Sequence, residues 1–92
     1  MYLHLGQNTV IMLEDIIGVF DLDTSTISKH TRNFLAKSEI NKKVINISSE
    51  LPKSFILCQK ESGTIKVEKV FISPLASLTL LKRQNKDTGD IY

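Results

Sequence analysis

Short apolar runs separated by turn residues dominate the chain, and this pattern predicts β-strands. Runs at residues 2–5 and 9–13 flank a turn at residues 6–8, which predicts an N-terminal hairpin. His4 alternates with its apolar neighbours, so we expect its side chain on the opposite face from theirs. Residues 16–22 predict a third strand, in which Gly18 indicates a bulge or a close backbone approach.

The apolar period changes from strand to helix near residue 24, which predicts a helix beginning at residue 23 or 24 and ending at residue 38 or 39. Its narrow apolar stripe consists of Ile27, Thr31, Phe34 and Leu35. Asp21 and Asp23 lie at the start, where carboxylates accept hydrogen bonds from free N–H groups and favour the positive end of the helix dipole. We therefore interpret both as helix-start residues and not as a carboxylate site.

The second half returns to strands. Residues 44–47 form one apolar run, and residues 55–58 form another that does not alternate, as in a strand buried on both faces. Gly63 predicts the turn of a hairpin between that strand and residues 65–72. Because Lys69 interrupts the alternation of the second run, we expect a bulge or tight turn at residues 68–69.

Ser73 and Pro74 predict the start of a C-terminal helix, with serine as N-cap and proline in the first helical position. The leucine-rich segment that follows ends in Lys82 and Arg83, where cations favour the negative end of a helix. Together these elements predict an α+β fold, a small mostly antiparallel sheet with one central helix and a shorter C-terminal helix. We expect a single domain over residues 1–84 and a flexible tail over residues 85–92.

The size of the chain limits its core. Ninety-two residues form one small domain, which buries only ~60–65% of its unfolded surface and gains from oligomerisation. With no signal-peptide pattern, no spanning apolar segment and a single cysteine, Cys58, we expect a cytoplasmic protein without a membrane partner.

Charge is distributed unevenly, although the formal net charge is only +2. Residues 1–23 contain no lysine or arginine, whereas residues 24–86 hold all 12 of them. Such asymmetry indicates a basic face and a polyanionic partner, or simply a lysine-rich solvated surface. Residues that could neutralise phosphates in this segment are Lys29, Arg32, Lys42, Lys43, Lys53, Lys82 and Arg83.

Catalytic chemistry is not indicated. The chain has no phosphate-binding glycine loop, no HExxH and no metal-ligand spacing, and Cys58 lies inside an apolar run that disfavours a thiolate. We expect no enzymatic activity, no cofactor, no metal and no small-molecule substrate.

Four segments are distinctive: MYLHLG, DIIGVFD, PKSFIL, and SPL followed by a leucine-rich helix that ends in KR. They resemble the RemA/RemB family of bacterial extracellular-matrix (biofilm) regulators, and its RemB branch most. The resemblance covers nearly the whole chain to about Arg83. It implies a transcriptional regulator that binds double-stranded DNA as a homo-oligomer, with the rings and basic loops of the RemA branch as the template.

In the RemA branch, arginines cluster in the loop before the apolar strand. Here only Lys53 matches a basic position of that cluster, and Glu50 and Leu51 stand where a basic pair is expected. The turn at Lys42 and Lys43 and the helix carrying Lys29 and Arg32 are further candidates for phosphate contacts. The alternative is a protein-interaction or structural assembly module without DNA binding.

Overall fold

A computed structural model describes the backbone of residues 1–89 and the side chains of residues 1–83. In chain order its strands and helices are β1 (Tyr2–Gly6), β2 (Thr9–Met12), β3 (Ile16–Asp21), α1 (Leu22–Ser25), α2 (Lys29–Ile40), β4 (Val44–Asn46), β5 (Ser54–Ser62), β6 (Ile65–Ser73) and α3 (Ser77–Gly89). A single 3-10 turn, Leu13–Asp15, separates β2 from β3.

The strands form two sheets. β1 and β2 make an antiparallel hairpin, and the other four strands form a sheet in the order β3-β5-β6-β4. Among the strand pairs of residues 1–89, only β4–β6 is parallel. The predicted α+β class and the mostly antiparallel pairing are therefore confirmed.

The core lies between one face of the larger sheet, the β1–β2 hairpin and α3. Its fully buried members are Leu3 and Leu5 of β1, Ile56 of β5 and Leu80 of α3, with Cys58 beside them. Each buried leucine or isoleucine contributes about 1.5–3 kcal/mol relative to exposure. His4 is exposed, as its alternation with the two leucines predicts.

Two local features of the strands agree with the sequence. The register shifts between Ile16 and Gly18 where β3 pairs with β5, which confirms the predicted bulge. A Cβ at Gly18 would lie 2.6 Å from the Phe20 ring, so glycine is required for that ring position. The ring in turn stacks on Phe55 of β5, with centroids 4.9 Å apart.

The central helix is interrupted, contrary to the prediction of one continuous helix. α1 is one turn, capped by the Asp21 carboxylate, which accepts from the Thr24 N–H at 3.1 Å. The Thr26 hydroxyl donates to the Leu22 carbonyl and ends that turn. Ser28 then caps α2 by accepting from the N–H of Thr31. Competing side-chain hydrogen bonds from this hydroxyl-rich segment explain the break.

The C-terminal helix begins three residues later than predicted, at Ser77. Ser73 belongs to β6 instead, where its hydroxyl donates to the Leu5 carbonyl at 2.6 Å and accepts from the Leu75 N–H at 3.0 Å. α3 spans 13 residues and α2 spans 12, so the C-terminal helix is not the shorter one. The predicted domain boundary at residue 84 lies inside α3. The flexibility of residues 85–92 stays a prediction. Of these, residues 90–92 lie outside the described residues.

The bulge predicted at Glu68 and Lys69 was wrong. β5 and β6 pair residue by residue from Ser54–Ser73 to Ser62–Ile65 without a shift. The alternation of apolar and polar residues is irregular because the outer half of this hairpin is largely exposed, and Ile65 is 64% exposed. Backbone pairing with β5, not side-chain burial, sets the register there.

Candidate nucleic-acid interface

Lys53 lies in a tightly held stretch of backbone. Its N–H donates to the Ser73 carbonyl at 2.9 Å, and its carbonyl accepts from the Leu22 N–H at 3.0 Å. Next to it, the buried Ser54 hydroxyl donates to the Leu75 carbonyl at 2.7 Å. The lysine side chain is exposed. The hydrogen-bonded backbone fixes the position of Lys53, and its exposed ammonium group is suited to a phosphate contact.

Lys42 and Lys43 follow the last turn of α2. The N–H of Lys42 donates to the Glu39 carbonyl at 3.0 Å, and that of Lys43 donates to the Ser38 carbonyl at 2.9 Å. These two bonds form the C-terminal motif that usually places glycine in the left-handed position. Lys42 occupies that position with φ 58. Its side chain is exposed and that of Lys43 is half-buried.

Lys29 and Arg32 lie in the first turn of α2, and both are exposed. The Arg32 Nη1 donates to the carbonyls of Thr26 and Ile27 at 2.7 and 3.0 Å. The guanidinium therefore closes the break between α1 and α2, which leaves fewer of its donors for a partner. The Lys29 side chain makes no hydrogen bond or ion pair within the described residues.

The fold separates these side chains into two basic sites. Ser54 pairs with Ser73 and Val44 pairs with Val70, so the two register positions lie three residues apart along β6, about 10 Å. Lys53 lies beyond the first position and Lys43 beyond the second, in opposite directions. A single chain does not gather all five predicted residues into one patch.

Lys69 lies in the same site as Lys42 and Lys43. The sequence did not predict Lys69 as a member of this site. β4 runs parallel to β6, and the Val70 N–H donates to the Lys43 carbonyl at 2.9 Å. Lys43 and Lys69 are therefore neighbours across the two strands, and the Lys69 side chain is exposed. Twenty-six residues of sequence separate the two lysines, and no local pattern reveals a parallel pairing over that distance.

A cleft of about 380 Å³ lies between β2 and the larger sheet. Met12, Cys58 and Phe71 supply apolar lining, and Lys60 and Lys69 supply charge. Burial, with a smaller effect from Asp15, raises the pKa of the Cys58 thiol from 9.0 to about 11. The thiol is thus protonated at neutral pH and is a poor nucleophile. Across the described residues, no group of three His, Cys, Asp or Glu side chains could hold a metal ion.

The chain is similar to a protein whose name states a regulatory function. Extracellular matrix regulatory protein B from Bacillus subtilis (strain 168) is 35% identical over 83 residues, or 90% of this chain and 89% of that protein. The chain belongs to the RemA/RemB family of extracellular-matrix regulatory proteins. No protein-family model matches the chain.

The loop before β5 is where the resemblance to the RemA branch predicts phosphate contacts. In this member of the family the loop presents exposed Glu50, Leu51 and Lys53. Glu50 is held by its N–H, which donates to the Ser48 hydroxyl at 3.0 Å. None of the described helices is both long enough and apolar enough to cross a bilayer.

Proposed function

We propose that this chain is a non-enzymatic, cytoplasmic regulator of extracellular-matrix genes that binds duplex DNA as a homo-oligomer, largely through the phosphate backbone. The name of its Bacillus subtilis relative supports the regulatory part. The two basic sites, one at exposed Lys53 and one at exposed Lys42 with half-buried Lys43, support the DNA-binding part. No cofactor or small-molecule substrate is part of this proposal.

The scarcity of arginine favours backbone contacts over base contacts. Arg83 donates from Nη1 to the His4 carbonyl at 3.1 Å, and Arg32 donates from Nη1 to Thr26 and Ile27. Bidentate pairing of arginine with guanine is the commonest specific base contact. With Nη1 engaged, each of these guanidinium groups has only its Nε and Nη2 edge for such a contact. The chain has no other arginine. Lysine ammonium groups serve phosphates well and bases poorly.

Self-association accounts for both the thin core and the separated sites. Among the described residues, the fully or nearly buried hydrophobic side chains are Leu3, Leu5, Phe55, Ile56, Cys58, Val70 and Leu80. Ile27, Ile40 and Leu51 are each more than three-quarters exposed. Copies arranged in a ring would bury part of this apolar surface and would repeat each basic site around a rim. A row of lysines around such a rim would contact successive phosphates of a duplex.

The second candidate function is an assembly module that binds no nucleic acid. Glu50 beside Lys53 lowers the positive charge of its loop, and Leu51, which is 79% exposed, fits a protein contact better than a phosphate contact. Heparin affinity separates the two functions. An intact oligomer that passes through a heparin column at low salt favours the assembly module.

The decisive experiment measures duplex affinity by fluorescence anisotropy at several salt concentrations. Displacement of counterions by several lysines predicts that log K falls linearly with log salt, by about 0.9 for each phosphate neutralised. Duplexes of unrelated sequence should differ much less in affinity than the salt series does. An affinity that is independent of salt, or no binding at low salt, contradicts the proposal.

A further inference from the structure

The hairpin of β5 and β6 projects beyond its neighbours in the larger sheet. β3 pairs with β5 only as far as Cys58, and β4 pairs with β6 only from Val70 onward. Residues 59–62 and 65–69 therefore form a two-stranded ribbon with no further strand on either side among the described residues. Such a ribbon is marginal alone, and its free edges are templates for another strand.

The register shows which backbone groups lie on each free edge. The Val70 N–H points toward β4, where it donates to Lys43. Backbone direction alternates along a strand, so the N–H and C=O groups of Lys66 and Glu68 point to that same side. We name this unpaired stretch, residues 65–69, the β6 edge.

The opposite side of the ribbon carries a matching stretch. Gln59 pairs with Glu68, and Glu61 pairs with Lys66, in positions where β5 and β6 exchange no hydrogen bonds with each other. The backbone groups of Gln59 and Glu61 therefore point away from β6. Those of Gln59 face the residue before Ile16, because Ile16 pairs with Cys58. The unpaired stretch is residues 60–62, which we name the β5 edge.

The surroundings of the two edges have opposite charge. Glu14 and Asp15 line an open notch of about 510 Å³ beside the β5 edge, together with Glu61 and one cation, Lys60. The β6 edge carries Lys66 and Lys69 against one acid, Glu68, and the turn at residues 42–43 adds two lysines where β4 begins. The β5 side is thus net acidic and the β6 side net basic.

Apolar surface accompanies the charge. On the ribbon, Ile65 is 64% exposed and Val67 is 45% exposed, and Ile17 in the acidic notch is 55% exposed. Exposed β-branched side chains along a free strand edge are a recognised aggregation hazard unless the edge is covered. A strand of the same chemistry would bury them.

We propose that the β6 edge of one copy pairs antiparallel with the β5 edge of the next copy, head to tail. β5 and β6 are antiparallel within one chain, so copies in the same orientation bring β6 antiparallel to the neighbour's β5. Pairing of like edges would instead bring acid to acid or lysine to lysine. A head-to-tail contact closes into a ring or extends as a filament. The inference rests on the homo-oligomer of the proposed function and names its interface.

Proline substitutions test the edges separately, because proline is tolerated in a strand only where its missing N–H faces away from the sheet. Glu68→Pro blocks the β6 edge and Glu61→Pro blocks the β5 edge. Glu68→Ala and Glu61→Ala are the matched controls, since each keeps the N–H. Light scattering should show a multiple of the 10.4 kDa chain mass for the wild type and the alanine controls, and the single-chain mass for each proline variant.

Mixing the two proline variants distinguishes head-to-tail pairing from two-fold pairing. Each variant keeps one intact edge, and the two intact edges are complementary, so the mixture should form a dimer and nothing larger. A mixture that stays monomeric, or a folded proline variant that keeps the wild-type mass, overturns the inference.

Charge reversal keeps the test valid if circular dichroism shows that a proline variant does not fold. Lys69→Glu and Glu14→Lys should each reduce the mass, and both changes in one chain should restore it. Neither change touches the ion pair between Lys66 and Glu61 within the hairpin, 3.8 Å long. Failure of that rescue overturns the inference. A wild type that is monomeric at all concentrations would instead remove the oligomer from the proposed function, whereas duplex affinity tests the DNA-binding part independently.

Discussion

The backbone N–H of Lys53 donates to the carbonyl of Ser73 at 2.9 Å, and this bond joins the loop before β5 to the end of β6. The Ser73 hydroxyl continues the connection by donating to the Leu5 carbonyl in β1. A lysine exposed at the surface is thereby fixed to three strands. Although Lys53 lies in a loop, tertiary hydrogen bonds fix its backbone position.

Lys53→Ala should weaken duplex binding and reduce the salt slope, because one phosphate contact per engaged copy is lost. Fluorescence anisotropy against salt concentration measures both quantities. Lys60→Ala is the matched control, with the same loss of charge at the far end of β5. Equal effects of the two variants would mean that only total charge matters, and that Lys53 has no special position.

Lys42→Gly should increase stability and decrease DNA affinity. A non-glycine residue in the left-handed region costs roughly 1–2 kcal/mol, so glycine should raise the free energy of unfolding by about 1 kcal/mol. Urea denaturation measures this change. Lys42→Ala keeps the strain and removes the same charge, so it should lose affinity without the gain in stability. A Gly variant with unchanged affinity would exclude Lys42 from the interface.

Ser73→Ala should destabilise the fold by about 1–3 kcal/mol, since it leaves the buried Leu5 carbonyl without its donor. Urea denaturation again gives the free energy of unfolding. Ser62→Ala, at the exposed tip of the hairpin, should change it by less than about 0.5 kcal/mol. If both variants unfold at the same urea concentration as the wild type, the connection through Ser73 contributes nothing to stability.

Stability should decline as the pH rises from about 9 to about 11, in part because of Cys58. The folded thiol keeps its proton across this range while the unfolded thiol loses it, so ionisation favours the unfolded state. Below pH 9 both states hold the proton and the thiol contributes no pH dependence. Denaturation midpoints for Cys58→Ala should fall less steeply over the same range than those of the wild type.

A related check concerns thiol reactivity. The folded protein should react slowly with a thiol-specific reagent at neutral pH and rapidly in denaturant, because Cys58 is buried and protonated in the fold. Rapid reaction of the folded protein would show that β5 opens locally.

Local patterns were sufficient for most elements of the fold. Alternation and turn residues located the β1–β2 hairpin, the bulge at Gly18 and the hairpin of β5 and β6, because each depends on residues close in sequence. The start of the C-terminal helix failed because it depends on a distant partner. Ser73 has the local sequence of an N-cap, yet its hydroxyl bonds to Leu5, 68 residues away.

For the candidate site, too, residue order predicted one part and the tertiary structure decided the other. The sequence by itself identified the basic segment, the family resemblance and the five candidate cations, since charge and motif can be read from residue order. Only the tertiary structure decided that Lys53 and Lys43 lie in separate sites, that Lys69 joins Lys43, and that Arg32 closes the helix break. The physical reason is that strand order and register, which no local pattern encodes, determine which charges become neighbours.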